Sequence, residues 1–447
     1  MDRDAVLAWA RAEGVRLVRF LYCDNGNIIR GKVAHIGILG PVIESGIGLT
    51  VAMQGFTITE RLAPGTAQGP VGEIRLVPDL STFTPLPYAP GEARMLCDMR
   101  TLDGADWEAY PRTFLKRMMA RAAAEGIEGR AAFEYEFYLA REVDGRYVPA
   151  DDSLCFSSDG MDRAGPVIRE VMDALDRQGF GPQQYYPELG PGQQELSIDH
   201  APLLTAADRH IAVRETVRAV ALKHGLVASF APKPFLDQAG SGCHVHFSLW
   251  RDGRNVMYDP EGELGISALG RQFIAGVLAH LPGLLAITCP SVNSYQRLAP
   301  NMWSSAYTCW GPDNREAAVR VASPFRGRVE ATTNIEIKAV DGSANPYLAL
   351  GALLAAGLDG INRALDPGAP LAMNPHDLSE EERARRGIRR YPTSLGEAIA
   401  ALEQDAVLME ALGPVLAREF LAVRKAELED VGRLPPDRQV AVYFRRY

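Results

Sequence analysis

Apolar positions recur at helical spacing over residues 4–13 and stop at Gly14, which predicts a short amphipathic helix closed by a glycine cap. Residues 15–23 and 28–36 then read as two strands around the turn Asp24-Asn25-Gly26-Asn27. A strand-rich stretch follows, punctuated by Gly40-Pro41, Pro64-Gly65 and Pro85-Leu86-Pro87, and ends on a strand at 93–98. Pro111 opens a strong helix reaching Ala124. Beyond it, strand patterns (131–141, 193–199, 226–231, 242–250, 306–310, 317–322, 329–339) alternate with helical ones at 202–224, 264–281 and 346–362. The tail from 394 to 428 is amphipathic and helical, and the charge run 380–390 is expected on a solvated surface. With a boundary near 102–110, the pattern predicts an N-terminal domain at 1–103 and an α+β domain at 104–447.

Four of the strands carry charged residues on one face only. Glu134 and Glu136 share a face opposite Phe133, Tyr135 and Phe137. Glu195, Ser197 and Asp199 align, as do His244, His246 and Ser248, and so do Asn334, Glu336 and Lys338. One such strand is explained by a wet face on an antiparallel sheet. Four in one domain point instead to faces converging on a cleft. Carboxylates gathered there repel one another unless divalent cations neutralise them, and glutamates with a histidine suit Mg²⁺ or Mn²⁺. Gly240-Ser241-Gly242, just before His244, lets backbone approach a ligand closely. Arg297, Arg315 and Arg320 supply guanidinium groups suited to carboxylate or phosphoryl oxygens.

Composition narrows the setting. The 447 residues carry 47 Lys+Arg against 56 Asp+Glu, a formal charge of −9, which argues against a nucleic-acid or acidic-membrane surface. Six scattered cysteines form no C-x-x-C pair and read as reduced thiols. The N-terminal stretch lacks a signal-peptide pattern and no run of about 18 uninterrupted apolar residues occurs, so a cytoplasmic protein is expected.

Six ordered motifs resemble the glutamine synthetase superfamily across nearly the whole chain: FEYEFYL at 133–139, PELGPGQQEL at 187–196, GSGCHVHFSL at 240–249, NSYQRLAP at 293–300, DNREAAVRV at 313–321 and NPYLALGALLAAGLDGI at 345–361. The resemblance implies an N-terminal β-grasp domain and a catalytic domain whose curved antiparallel sheet forms a funnel. It also implies a homo-oligomeric ring, commonly a dodecamer, with active sites between subunits. On it, Glu136, Glu188 and Glu195 match the ligands of one divalent ion, and Glu134, His244 and Glu336 those of a second. Two or three Mg²⁺ or Mn²⁺ per site would act with ATP as co-substrate. Arg315 and Arg320 would serve phosphoryl transfer, His246, Ser248 and Arg320 would meet the nucleotide, and Arg297 and Gly240 would meet the acid substrate.

Departures from the family pattern narrow the function. Ammonium-using members carry a glutamate six residues after the arginine of the NSYKRL-type motif, where this chain has Trp303, and their acidic N-terminal segment is replaced here by residues 49–56, LTVAMQGF. Without either acid, a larger and partly apolar amine fits better than ammonium. Lys338 and Asn334 stand where the family has arginines, which bears on how the acid is held. The expectation is an ATP-dependent ligase forming a γ-glutamyl amide from glutamate and an organic amine. The alternatives are an ammonium-using glutamine synthetase, a ligase for another carboxylic acid, and a catalytically silent scaffold.

Overall fold

In the computed structural model, which describes residues 1–447, the helix Arg3–Ala12 begins where the Asp2 side chain accepts from Ala5 N, and Gly14 leaves it at φ +64°. The strands Leu17–Cys23 and Ile29–His35 pair antiparallel from Leu17 opposite His35 to Cys23 opposite Ile29. Glu92–Arg100 runs parallel to the first of them, longer than the strand expected at 93–98, and a six-stranded N-terminal sheet results. Val18, Phe20, Leu76 and Met95 fill its own apolar core.

The second sheet has eleven strands and is curved and nearly closed. Its spine is the 16-residue strand Glu128–Val143, which pairs with Gln193–Ile198 on one side and Val245–Arg251 on the other. Ile335–Ile337, Ala317–Val321 and Tyr307–Pro312 continue the sheet outward in that order. Pairing is antiparallel except at this margin, where Tyr307–Pro312 and Ala317–Val321 run parallel. Phe133, Tyr135 and Phe137 enter the main core, and the alternation turns Glu134 and Glu136 to the opposite face.

Helices cover the back of the sheet. Ala268–Thr288 is long and apolar enough to cross a membrane by length and composition, but 72% of its apolar window is buried inside the protein, which makes it a core helix. It starts later than expected and runs past residue 281 through Pro282, because packing against Pro346–Asn362 and Leu395–Gln404 outweighs one lost backbone bond. Two other predicted elements change. The strand expected at 329–339 is a helical turn, Val329–Thr332, followed by Ile335–Ile337; Thr332 and Thr333 close that turn by donating to Arg328 O and Val329 O. The tail is three helices, Leu395–Gln404 and Ala406–Leu412, capped by the Ser394 and Asp405 side chains, and Pro414–Gly432, which opens on a proline.

The two sheets are joined by charge and by the first turn. Arg112, fully buried, bonds Asp98 (2.5 Å) and Asp79 (2.8 Å) of the N-terminal part and Asp208 (2.8 Å) of the helix Leu203–Lys223. The turn at 24–27 is buried under the second sheet's helices: Asn27 Nδ2 donates to Gly342 O, Asn345 Nδ2 to Asp24 O, and the Tyr447 hydroxyl to Gly26 O.

Candidate active site

Strand register builds the site. Glu195 is the direct cross-strand partner of Glu136, and Ser197 of Glu134. On the other side, Glu336 faces both His246 and Arg320. His244 precedes its strand, and its carbonyl accepts from Glu134 N. The four polar faces therefore converge on one wall of the sheet.

Glu134, His244 and Glu336 each bring one ligand atom to within 4.8 Å of the others. His244 Nδ1 lies 2.9 Å from Glu134 Oε2, 3.2 Å from Glu336 Oε1 and 3.9 Å from Glu136 Oε1. His244 Nε2 lies 3.2 Å from Arg297 Nη2, and Nδ1 faces the Glu134 carboxylate. Burial and the Lys338 charge bring His244 down to about 4, so the ring is a neutral imidazole near neutrality. His246 stands between Glu134 Oε1 (2.8 Å) and Asn334 Oδ1 (2.7 Å). Burial opposes its charge, but the Glu134 carboxylate outweighs it and holds His246 up at about 9. Against its own burial, Glu134 is held well below the usual carboxylate range, first by His246 and then by His244.

Glu136, Glu188 and Glu195 line the adjacent wall without closing to the separation of the first trio. Burial, then the Glu188 charge, pushes Glu136 up to about 7; burial followed by Glu134 and Glu136 drives Glu195 well up, and burial raises Glu188. Such crowding of acids is relieved by a divalent cation. Glu336 is the counterpart. It is 1% exposed, with Lys338 Nζ 3.1 Å from Oε1 and Arg320 Nε 2.5 Å from Oε2, yet Oε2 makes no hydrogen bond of good geometry. These donors fit Mg²⁺ or Mn²⁺: hard oxygen ligands, one neutral imidazole and a buried carboxylate oxygen without a hydrogen bond.

The remaining predicted residues fall in two places. Arg297 is buried against His244, with Nη1 left unpartnered. Gly240 lies against its stem: a side chain there would meet Arg297 Cγ at 2.7 Å and Pro232 O at 2.9 Å, so the glycine leaves room for the arginine. Ser248, buried, accepts from Trp250 Nε1 at 2.8 Å. Trp303 and Arg315 are together elsewhere, in an open cleft of ≈ 450 Å³ also lined by Asn301, Glu316, Met373 and Asn374. Trp303 is 66% exposed, with the Arg315 guanidinium 6.0 Å from its ring centroid. Two residues escaped the sequence reading. Gln193 Nε2 donates to Glu136 Oε2, Gly240 O and Ser241 Oγ, and Glu316 grips the loop that carries Trp303. Gln193 lies two residues before Glu195 on the same strand face, so carrying the period-two alternation one step further toward the N-terminus would have found it.

The family models described as "Glutamine synthetase N-terminal domain" and "Glutamine synthetase, catalytic domain" match residues 1–107 and 108–443. The chain is 38% identical over 439 residues to "Gamma-glutamylpolyamine synthetase GlnA3" of Streptomyces coelicolor, covering 97% of this chain and 94% of that protein. It is 34% identical over 460 residues to a glutamine synthetase of Methanocaldococcus jannaschii, covering 99% and 98%. A solved structure described as "Crystal structure of novel glutamine synthase homolog" superposes with a TM-score of 0.88 at 33% identity, covering 97% of this chain and 99% of that one.

Proposed function

The chain belongs to the glutamine synthetase family, whose members are ATP-dependent ligases that form carbon–nitrogen bonds, and from that premise we propose that it joins glutamate to an organic primary amine. The γ-carboxylate takes the phosphoryl group of ATP, releasing ADP; the amine nitrogen then displaces phosphate and leaves a γ-glutamyl amide. The observation that carries this reading is Trp303. It stands where ammonium-using members place a glutamate, and its indole lies open in a roomy cleft instead of packed in the core. An exposed indole offers apolar surface and a π-face to an alkylammonium, whereas a small hydrated cation needs an anion. The similarity to a protein described as a γ-glutamylpolyamine synthetase supports the same substrate class.

In this reading Glu136, Glu188 and Glu195 hold one divalent ion and Glu134, His244 and Glu336 another. When bound, the ions neutralise the phosphate oxygens. Arg320 and Arg315 steady the transferring phosphoryl group, and His246 and Ser248 lie toward the nucleotide. Lys338 is committed to Glu336, so the carboxylate of the acid falls to Arg297, whose free Nη1 is an available donor. Gly240, without a side chain, leaves that arginine its space. The ring assembly of the family is part of the proposal, and native mass measurement checks it.

The test compares ADP release with glutamate and ammonium chloride against a panel containing ethylamine, 1,4-diaminobutane and ethanolamine, with product masses determined. We expect at least one organic amine to exceed ammonium in kcat/KM by about tenfold or more. Ammonium matching the best amine would make the protein an ordinary glutamine synthetase, and turnover only after replacing glutamate would identify another acid.

A further inference from the structure

The segment leading from Arg297 to Trp303 has a backbone that its sequence does not favour. Asn301, Trp303 and Ser305 all adopt left-handed conformations, at φ 61°, 58° and 65°, and none is glycine. Left-handed backbone is rare for such residues, and three within five positions persist only where surrounding contacts over-determine them. Those contacts are present. Ser304 Oγ donates to Arg297 O at 2.8 Å, Ser305 Oγ meets the Tyr391 hydroxyl at 2.7 Å, and Asn374 Nδ2 donates to Asn301 Oδ1 at 2.7 Å. The remaining one is Glu316. Its Oε1 accepts from Trp303 N at 2.6 Å and its Oε2 from Asn301 N at 3.3 Å, so one carboxylate spans two of the strained residues.

The place of Glu316 gives the clamp its meaning. It ends the connection between Tyr307–Pro312 and Ala317–Val321, directly after Arg315 and immediately before the strand that carries Arg320 to Glu336. Its own N–H donates to Asn314 Oδ1, and Asn314 is in turn tied to Leu371 O and Met373 O on the far side of the cleft. One carboxylate thus couples the loop bearing Trp303 to the strand bearing the phosphoryl-side arginine. We propose that Glu316 is a positioning residue that sets the amine pocket by holding Asn301 N and Trp303 N, and so fixes where the Trp303 indole stands relative to Arg315. This rests on the amine-ligase reading for its kinetic part and on geometry alone for its loop part.

The test uses the full-length protein with Glu316→Ala and Glu316→Gln. The glutamine variant keeps one carbonyl acceptor and cannot accept at both N–H groups, so it should fall between wild type and alanine. Steady-state kinetics with the best amine of the panel should show the amine KM rising about tenfold or more in Glu316→Ala, with the ATP KM within about twofold. Acrylamide quenching assigned to Trp303, by subtracting the Trp303→Phe background from each protein, should rise in the same order. That arm needs no turnover, so it holds even if no amine is a substrate. Unchanged quenching in Glu316→Ala overturns the clamp. Raised quenching with an unchanged amine KM overturns its role in amine binding, and an equal rise in the ATP KM would mark a general disturbance of the site. Should Glu316→Ala fail to fold, Glu316→Gln gives the same readings at smaller amplitude.

Discussion

Glu336 answers to Lys338, Arg320 and His244 at once, which decides how it should be tested. Replacing it with alanine leaves a buried lysine without its partner, a defect that costs roughly 3–5 kcal/mol and would confound loss of activity with loss of fold. Glu336→Gln keeps shape and one acceptor while removing the charge. It should lower kcat by at least about a hundredfold, measured by ADP release, with a urea midpoint below wild type but above that of Glu336→Ala. Trp303→Glu should move the ratio of kcat/KM for ammonium over the best organic amine upward by about tenfold or more, because it restores an anion to an exposed position; an unmoved ratio would remove Trp303 from the amine pocket. Much of the metal wall is legible in the sequence because strand side chains alternate with period two. The pairing of Arg320 with Glu336 and the reach of Glu316 are not, since both depend on where a chain segment returns in space.

At the scale of elements, the helix pair behind the sheet sets the tolerance. Ala268–Thr288 and Pro346–Asn362 cross at Gly276 and Gly360, where a side chain on Gly276 would lie 2.1 Å from Ala356 O and one on Gly360 2.1 Å from Gln272 O. Neither backbone can withdraw, so Gly276→Ala should cost about 3 kcal/mol and lower the thermal midpoint. His280 ties this pair to the tail, bonding Asp359 (3.0 Å) of the second helix and Asp405 (2.7 Å) at the junction of Leu395–Gln404 and Ala406–Leu412. Burial works against its charge, but the two carboxylates hold its pKa above the ordinary histidine value. The stability this adds is full below the ordinary value and is lost as pH rises through the raised one. The midpoint difference between wild type and His280→Asn should therefore be largest near about pH 5 and shrink toward about pH 9. Helical periodicity announced both helices. It failed at Pro282, where burial overrides a local breaker, and at residues 329–333, where threonine hydroxyls turn an alternating pattern into a helical turn.

At the scale of the whole molecule, Arg112 binds acids of the N-terminal sheet region and of the helix Leu203–Lys223 behind the second sheet, and resists any motion between them. Arg112→Met would leave Asp79, Asp98 and Asp208 crowded around an apolar stem, costing roughly 3–5 kcal/mol and splitting one thermal transition into two. A calorimetric trace with a single unshifted peak would show that the two sheets do not depend on this contact. The buried turn at 24–27 reaches further. Its strands are local and can pair as soon as they leave the ribosome, but its cap is closed by a bond to Tyr447, 421 residues along the chain. The first hairpin is therefore finished only once Tyr447 has been made. High contact order of this kind slows folding and prolongs the life of a half-built N-terminal sheet, which leaves this early turn open to aggregation in nascent chains.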